Sequence, residues 1–211
     1  MPPVADAFQR QWPQAELMNL LDDRLSPDLA RASELDASLT QRFIDLARYA
    51  KSAGARGILF TCSAFGPAIE AAGAAVSLPT YKPNEAMFLD ALGVDAKGGI
   101  LRIGLLSTFA PSVPPMVAEL QEAARQHNIP IELQTACVAE AMSALSAGDG
   151  ARHDQLLAQG SEALRHCDVV MLGQFSMARA QKAVAARFDK PVLTSPDSAV
   201  SMLQRTLGDR H

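Results

Sequence analysis

Cys62 sits between two hydroxyl residues, Thr61 and Ser63, at the end of the apolar run Ile58-Leu59-Phe60. Gly66-Pro67 follows almost at once. A thiol flanked by hydrogen-bond donors, just ahead of a helix start, can take up and release protons near neutrality. The backbone N–H groups of that helix start can also bind an anion such as a carboxylate. Later in the chain a second apolar run, Val169 to Leu172, leads into Gly173-Gln174-Phe175-Ser176. Gln174 stands where a matching thiol would. Its amide forms hydrogen bonds but does not titrate in the useful range. Two more hydroxyl pairs, Ser107-Thr108 and Thr194-Ser195, also end apolar runs.

These tips need elements that bring them to one edge. Helical and extended patterns alternate along the chain. Ala15 to Leu21 reads as a first short strand, ended by Asp22-Asp23. Leu39 to Ala53 is an amphipathic helix, with Phe43, Leu46, Ala47 and Ala50 at three- and four-residue spacing. Strands are expected at 57–60, 101–106, 131–135, 168–172 and 191–193. Helices are expected at 66–75, 85–92, 113–127, 155–165, 177–188 and 198–207, with AGDGARHD (147–154) as a loop. Pro67 suits a first helical turn, where its missing N–H is no loss. Such β-α alternation builds a parallel sheet covered by helices on both faces. Ligands bind such sheets at the carboxyl ends of the strands, which is the reason to group the four tips as one site. A weak internal repeat pairs the helix, strand and tip around Cys62 with those around Gln174. Two similar halves with a cleft between them are expected from it.

The chain has 211 residues, 48% of them hydrophobic, and a formal net charge of −4. That is enough to bury a core. Scattered basic residues in a mildly acidic chain argue against nucleic acid as a partner. No apolar run approaches the roughly 18 residues of a membrane span, and the polar start lacks a secretory signal. A soluble cytoplasmic protein is expected. The three cysteines lack CxxC spacing, so neither a disulfide framework nor a zinc site is expected. Cys137 and Cys167 read as packing residues, and the histidines, without ligand spacing, as surface groups. GxSxG, GxGxxG and P-loop patterns do not occur.

Four stretches carry a resemblance. They are TCSAFGPAIEAA (61–72), IGLLSTFAPS (103–112), VVMLGQFSMA (169–178) and PVLTSPDSAV (191–200). Together the chain resembles the aspartate/glutamate/hydantoin racemase superfamily, in which each half contributes a cysteine at a strand-to-helix turn. Gln174 takes the second cysteine's position here. The resemblance implies an α/β fold of two similar halves with parallel sheets facing across a cleft. Residues 1–95 with 198–211 would form the half carrying Cys62, its first strand missing or shortened, and 96–197 the half carrying Gln174. It implies a racemase or related isomerase that needs no cofactor and no metal. The partner would be a small carboxylate or amino acid, with no nucleic acid or membrane partner, and assembly as a homo-oligomer fits the family. Cys62 would move the proton. Thr61, Ser63 and Thr108 would hold the carboxylate, Gln174 would orient the substrate, and Ser107 and Ser176 would also contact it. A second proton could come from Ser176, Glu85, Asp197 or a water. A one-sided lyase and a non-catalytic carboxylate binder are the alternatives.

Overall fold

A computed structural model describes residues 2–32, 34–96 and 99–208. In chain order the elements are α1 (Pro2–Gln11), α2 (Leu25–Ala32), α3 (Ala37–Ser52), β1 (Ile58–Leu59), α4 (Gly66–Val76), β2 (Thr80–Tyr81), α5 (Glu85–Leu92), β3 (Leu101–Ser107), α6 (Val113–Gln126), β4 (Ile131–Cys137), α7 (Ala139–Ser146), α8 (Gly150–Gly160), β5 (Val169–Leu172), α9 (Gln181–Ala185), β6 (Val192–Thr194) and α10 (Ser195–Leu207). By contacts the chain divides into a smaller unit, Phe8–Pro83 with Ala199–His211, and a larger one, Met1–Ala7 with Asn84–Ser198.

In the smaller unit, the Asp36 carboxylate accepts the N–H of Leu39 at 2.7 Å and caps α3. Leu39, Phe43, Ala47 and Ala50 then recur on one buried face. That face meets Ala68, Ile69, Ala72 and Val76 of α4. Two short parallel strands pair Ile58 with Thr80 and Leu59 with Tyr81. The last helix closes this unit. Tyr81 and Thr206 share a hydroxyl hydrogen bond of 2.8 Å, and Ser201 donates to Gln11 at 2.7 Å. A Cβ on Gly57 would come within 2.8 Å of Leu207 Cδ1, so any larger residue there would make the end of that side chain shift.

Ala15 to Leu21 forms no strand. The segment follows the unexpected helix α1, and Leu17, Met18, Leu20 and Leu21 are exposed. Apolar composition suits a strand, but a strand exists only where a neighbour completes its hydrogen-bond ladder. Among the described residues this unit's sheet contains β1 and β2 alone. Asp22, after the segment, and Asp28 on α2 instead both receive the Arg42 guanidinium, which ties them to α3.

The larger unit is built on a four-stranded parallel sheet of order β4-β3-β5-β6. β5, Val-Val-Met-Leu, is buried along its whole length, as a strand covered on both faces must be. On one face Ile103, Leu105, Val169 and Met171 pack with Met87 and Phe88 of α5 and Met116 and Leu120 of α6. On the other, Leu106, Val170 and Leu172 pack with Leu157 of α8, Met177 and Val184. α5 belongs to this unit, packed against its sheet. The reason is that its apolar face is complementary to the sheet.

The segment 150–154, expected as loop, is the first turn of α8, capped by Asp149. Helix formation turns His153 inward. It is buried, not on the surface, and its Nδ1 lies 2.8 Å from Asp154. Among the described residues no helix is long and apolar enough to cross a membrane, and no three metal-ligating side chains gather.

Asp168 ties the starts of β3 and β5 together. Its carboxylate accepts the Arg102 backbone N–H at 2.9 Å and guanidinium N–H groups at 3.0 and 3.3 Å. The Arg102 side-chain hydrogen bond, then its backbone bond, hold the Asp168 carboxyl below its ordinary value of 3.8. A lowered folded-state pKa gives stability that is present above the ordinary value and lost as pH falls through the folded one. Asp168→Asn is therefore expected to lower the melting temperature at pH 7. The gap between the two proteins should close as pH drops below about 4. Thermal melts from pH 7 to pH 3 check this, and a gap independent of pH would contradict it.

Candidate functional site

Cys62 follows β1 with an extended backbone, φ −125° and ψ 118°. A 3-10 turn, Ser63–Phe65, then leads into α4, with Pro67 in its first turn. Phe65 anchors the turn. It is 1% exposed, and its ring lies 4.8 Å from that of Phe43. The turn is thus held from below by an apolar side chain, while the Cys62 thiol is exposed above it. Thr61 is half-buried. The Ser63 side chain lies outside the described residues, so its expected carboxylate contact has no geometry to set beside it.

In the larger unit, the expected residues of the β3 and β5 tips come together. β3 ends on buried Ser107, and Thr108 is buried just beyond. Gly173 extends β5, its N–H donating to Leu106 at 2.9 Å. A Cβ on Gly173 would lie 3.0 Å from Met116 and 3.2 Å from Leu105, so the tip passes where a side chain would crowd the core. Gln174 next turns its amide onto β3. Its Oε1 accepts the Thr108 N–H at 3.0 Å and the Thr108 hydroxyl at 3.4 Å. Its Nε2 donates to the hydroxyls of Ser107 and Ser112, both at 2.8 Å. Those hydroxyls send their own protons to the Phe109 carbonyl at 3.1 and 2.7 Å. The Thr108 N–H can only donate, which fixes which end of the amide faces it. Every donor and acceptor position of the Gln174 amide is then filled inside the protein.

Ser176 is half-buried in the 3-10 turn Phe175–Ala180 that follows. At the β6 tip, Ser195 donates to buried Asn84 at 2.6 Å. Thr194 donates to the Asp197 carboxylate at 2.7 Å and accepts the Asp197 N–H at 3.3 Å. Asp197 is thus occupied as part of a reciprocal helix cap. Glu85 opens α5, where its charge favours the helix start.

The sequence singled out neither Ser112 nor Asn84. The signal for Ser112 was present, five residues beyond Ser107 in STFAPS, where a tight turn folds the hydroxyl back. Cys137 ends β4 in register with Ser107 and is exposed, not packed. The cause is that β4 lies at the sheet edge. Cys167 is buried, and desolvation pushes its thiol above its ordinary value.

The Asp/Glu/hydantoin racemase model matches residues 3–203. The chain belongs to the Asp/Glu/hydantoin racemase family. Solved structures agree on its fold. A glutamate racemase isoform from Bacillus anthracis shares 17% identity at a TM-score of 0.68, covering 98% of this chain and 77% of that one. An allantoin racemase from Klebsiella pneumoniae shares 18% identity at a TM-score of 0.57, covering 81% and 66%. An arylmalonate decarboxylase shares 18% identity at a TM-score of 0.55, covering 84% and 80%. No curated protein matches the chain. Within this family the Gln174 amide network lies at the tip of the sheet in the larger unit, and Cys62 at the tip in the smaller.

Proposed function

We propose that this member of the racemase family moves a proton at the carbon next to a carboxylate in a small amino acid or a derivative of one, without a cofactor. Cys62 is the acid–base group. The observation that carries the reading is its exposed thiol at a strand end, directly before a helix, in a chain of this family. A thiol at such a turn can meet a substrate and exchange protons with it. Thr61 and Ser63 flank it as carboxylate contacts.

The test is incubation with a panel of amino acids and small carboxylic acids in D₂O, following the α-proton by NMR. Exchange with inversion identifies a racemase and calls for a second proton carrier. Exchange without inversion identifies chemistry on one face. Absence of exchange on every compound would count against the proposal. The one-face alternative, a lyase that protonates its intermediate from one side, is favoured by a specific observation. Gln174 neither titrates nor has a free hydrogen-bonding position.

A further inference from the structure

The Thr108 N–H and the Thr108 hydroxyl converge on one oxygen atom, at 3.0 and 3.4 Å. Two donors aimed at a single oxygen, beside two hydroxyls, make a cradle suited to one end of a carboxylate. Here the oxygen belongs to Gln174. The part of that side chain beyond Cβ, CH₂–CO–NH₂, has the shape of acetamide, and acetate differs from it by one atom. We infer that Gln174 is a specificity-determining residue, whose amide fills the carboxylate position in front of Thr108 so that this tip admits only the uncharged end of a ligand.

The bonding pattern supports a fixed occupant. The amide forms four hydrogen bonds, and all four partners lie within the tips of β3 and β5 and the turn before α6. A carboxylate seeking Thr108 would have to displace the amide oxygen and leave it half-buried without a partner, which is costly. With the amide gone, one carboxylate oxygen would take the Thr108 donors. The other would face Ser107 and Ser112, whose protons now point to Phe109 and can turn to donate. Those bonds would be charge-assisted and stronger than the amide's.

The inference rests on the reading that this protein acts on a small amino acid or a derivative of one. Its test reads Thr108 directly and stands apart from turnover. The Thr108 backbone amide is followed by ¹⁵N NMR during titration with sodium acetate, against sodium chloride at equal ionic strength. In the unaltered protein the resonance should stay in place. In Gln174→Ala it should shift saturably, with acetate bound at least about tenfold more tightly than by the unaltered protein. Equal affinity in the two proteins would overturn the inference. Should Gln174→Ala fail to fold, the unaltered protein decides alone. A saturable Thr108 shift, accompanied by movement of the Gln174 side-chain amide signals, would mean that carboxylate displaces the amide and the inference is wrong. A stationary Thr108 signal upholds it.

Discussion

Cys62→Ser is expected to remove α-proton exchange by roughly a thousandfold, within the range that general acid–base groups contribute. Serine keeps the size and the hydrogen-bonding capacity of the residue. It loses only the thiol's capacity to transfer the proton. Because the thiol is exposed, the change touches no core. Phe65, not Cys62, anchors the turn to the helices below. Stability should therefore change by no more than about 0.5 kcal/mol, as is typical of surface substitutions, and the melting temperature by no more than about 2 °C. Unchanged stability with lost exchange assigns the chemistry to the thiol. Exchange retained within tenfold of the original rate would show that another group moves the proton.

Leu172→Ala is expected to destabilise the protein by about 3 kcal/mol, near the middle of the range for buried leucines. Leu172 is fully buried, the last residue of β5, between Leu106 and Thr194 in the sheet register. It packs in the cluster formed with Leu157, Leu164, Met177 and Val184. Truncation would open a cavity among side chains from several elements, which relax only partly into it. For a chain of this size the melting temperature should fall by roughly 6–12 °C. Because the cavity would lie directly beneath Gly173-Gln174, the Thr108 amide resonance should move as well. A fall of less than about 2 °C would show that the site can collapse around the smaller residue.

The fold of the larger unit was legible because parallel strands announce themselves. The runs at Ile103 to Leu106 and Val169 to Leu172 are apolar on consecutive positions, and both became strand segments buried on two faces. The three- and four-residue spacing in α3 gave its buried face directly. Ala15 to Leu21 misled for the opposite reason. Its composition suits a strand, but strand formation depends on a partner that no local pattern reveals. α1 and the first turn of α8 were missed because their polar average composition reads as loop, although α1 is itself amphipathic. At the candidate site, sequence identified the tips but not their mutual satisfaction. The hydrogen bonds of Gln174 reach Ser107 and Ser112 far back in the chain. Whether an amide side chain faces a ligand or its own protein depends on that long-range geometry.

The closing of the smaller unit by α10 has a consequence for how the protein is made. During synthesis, residues 8–83 are made before residues 84–198. The helix that supplies Ser201 to Gln11 and Thr206 to Tyr81, and that packs on Gly57, follows only after the whole of the larger unit has been translated. Gln11, Gly57 and Tyr81 therefore lack these partners until then, while the sheet of the larger unit can already assemble from contiguous chain. A premature stop just before residue 199 would remove these contacts from the smaller unit while leaving residues 84–198 of the larger one intact.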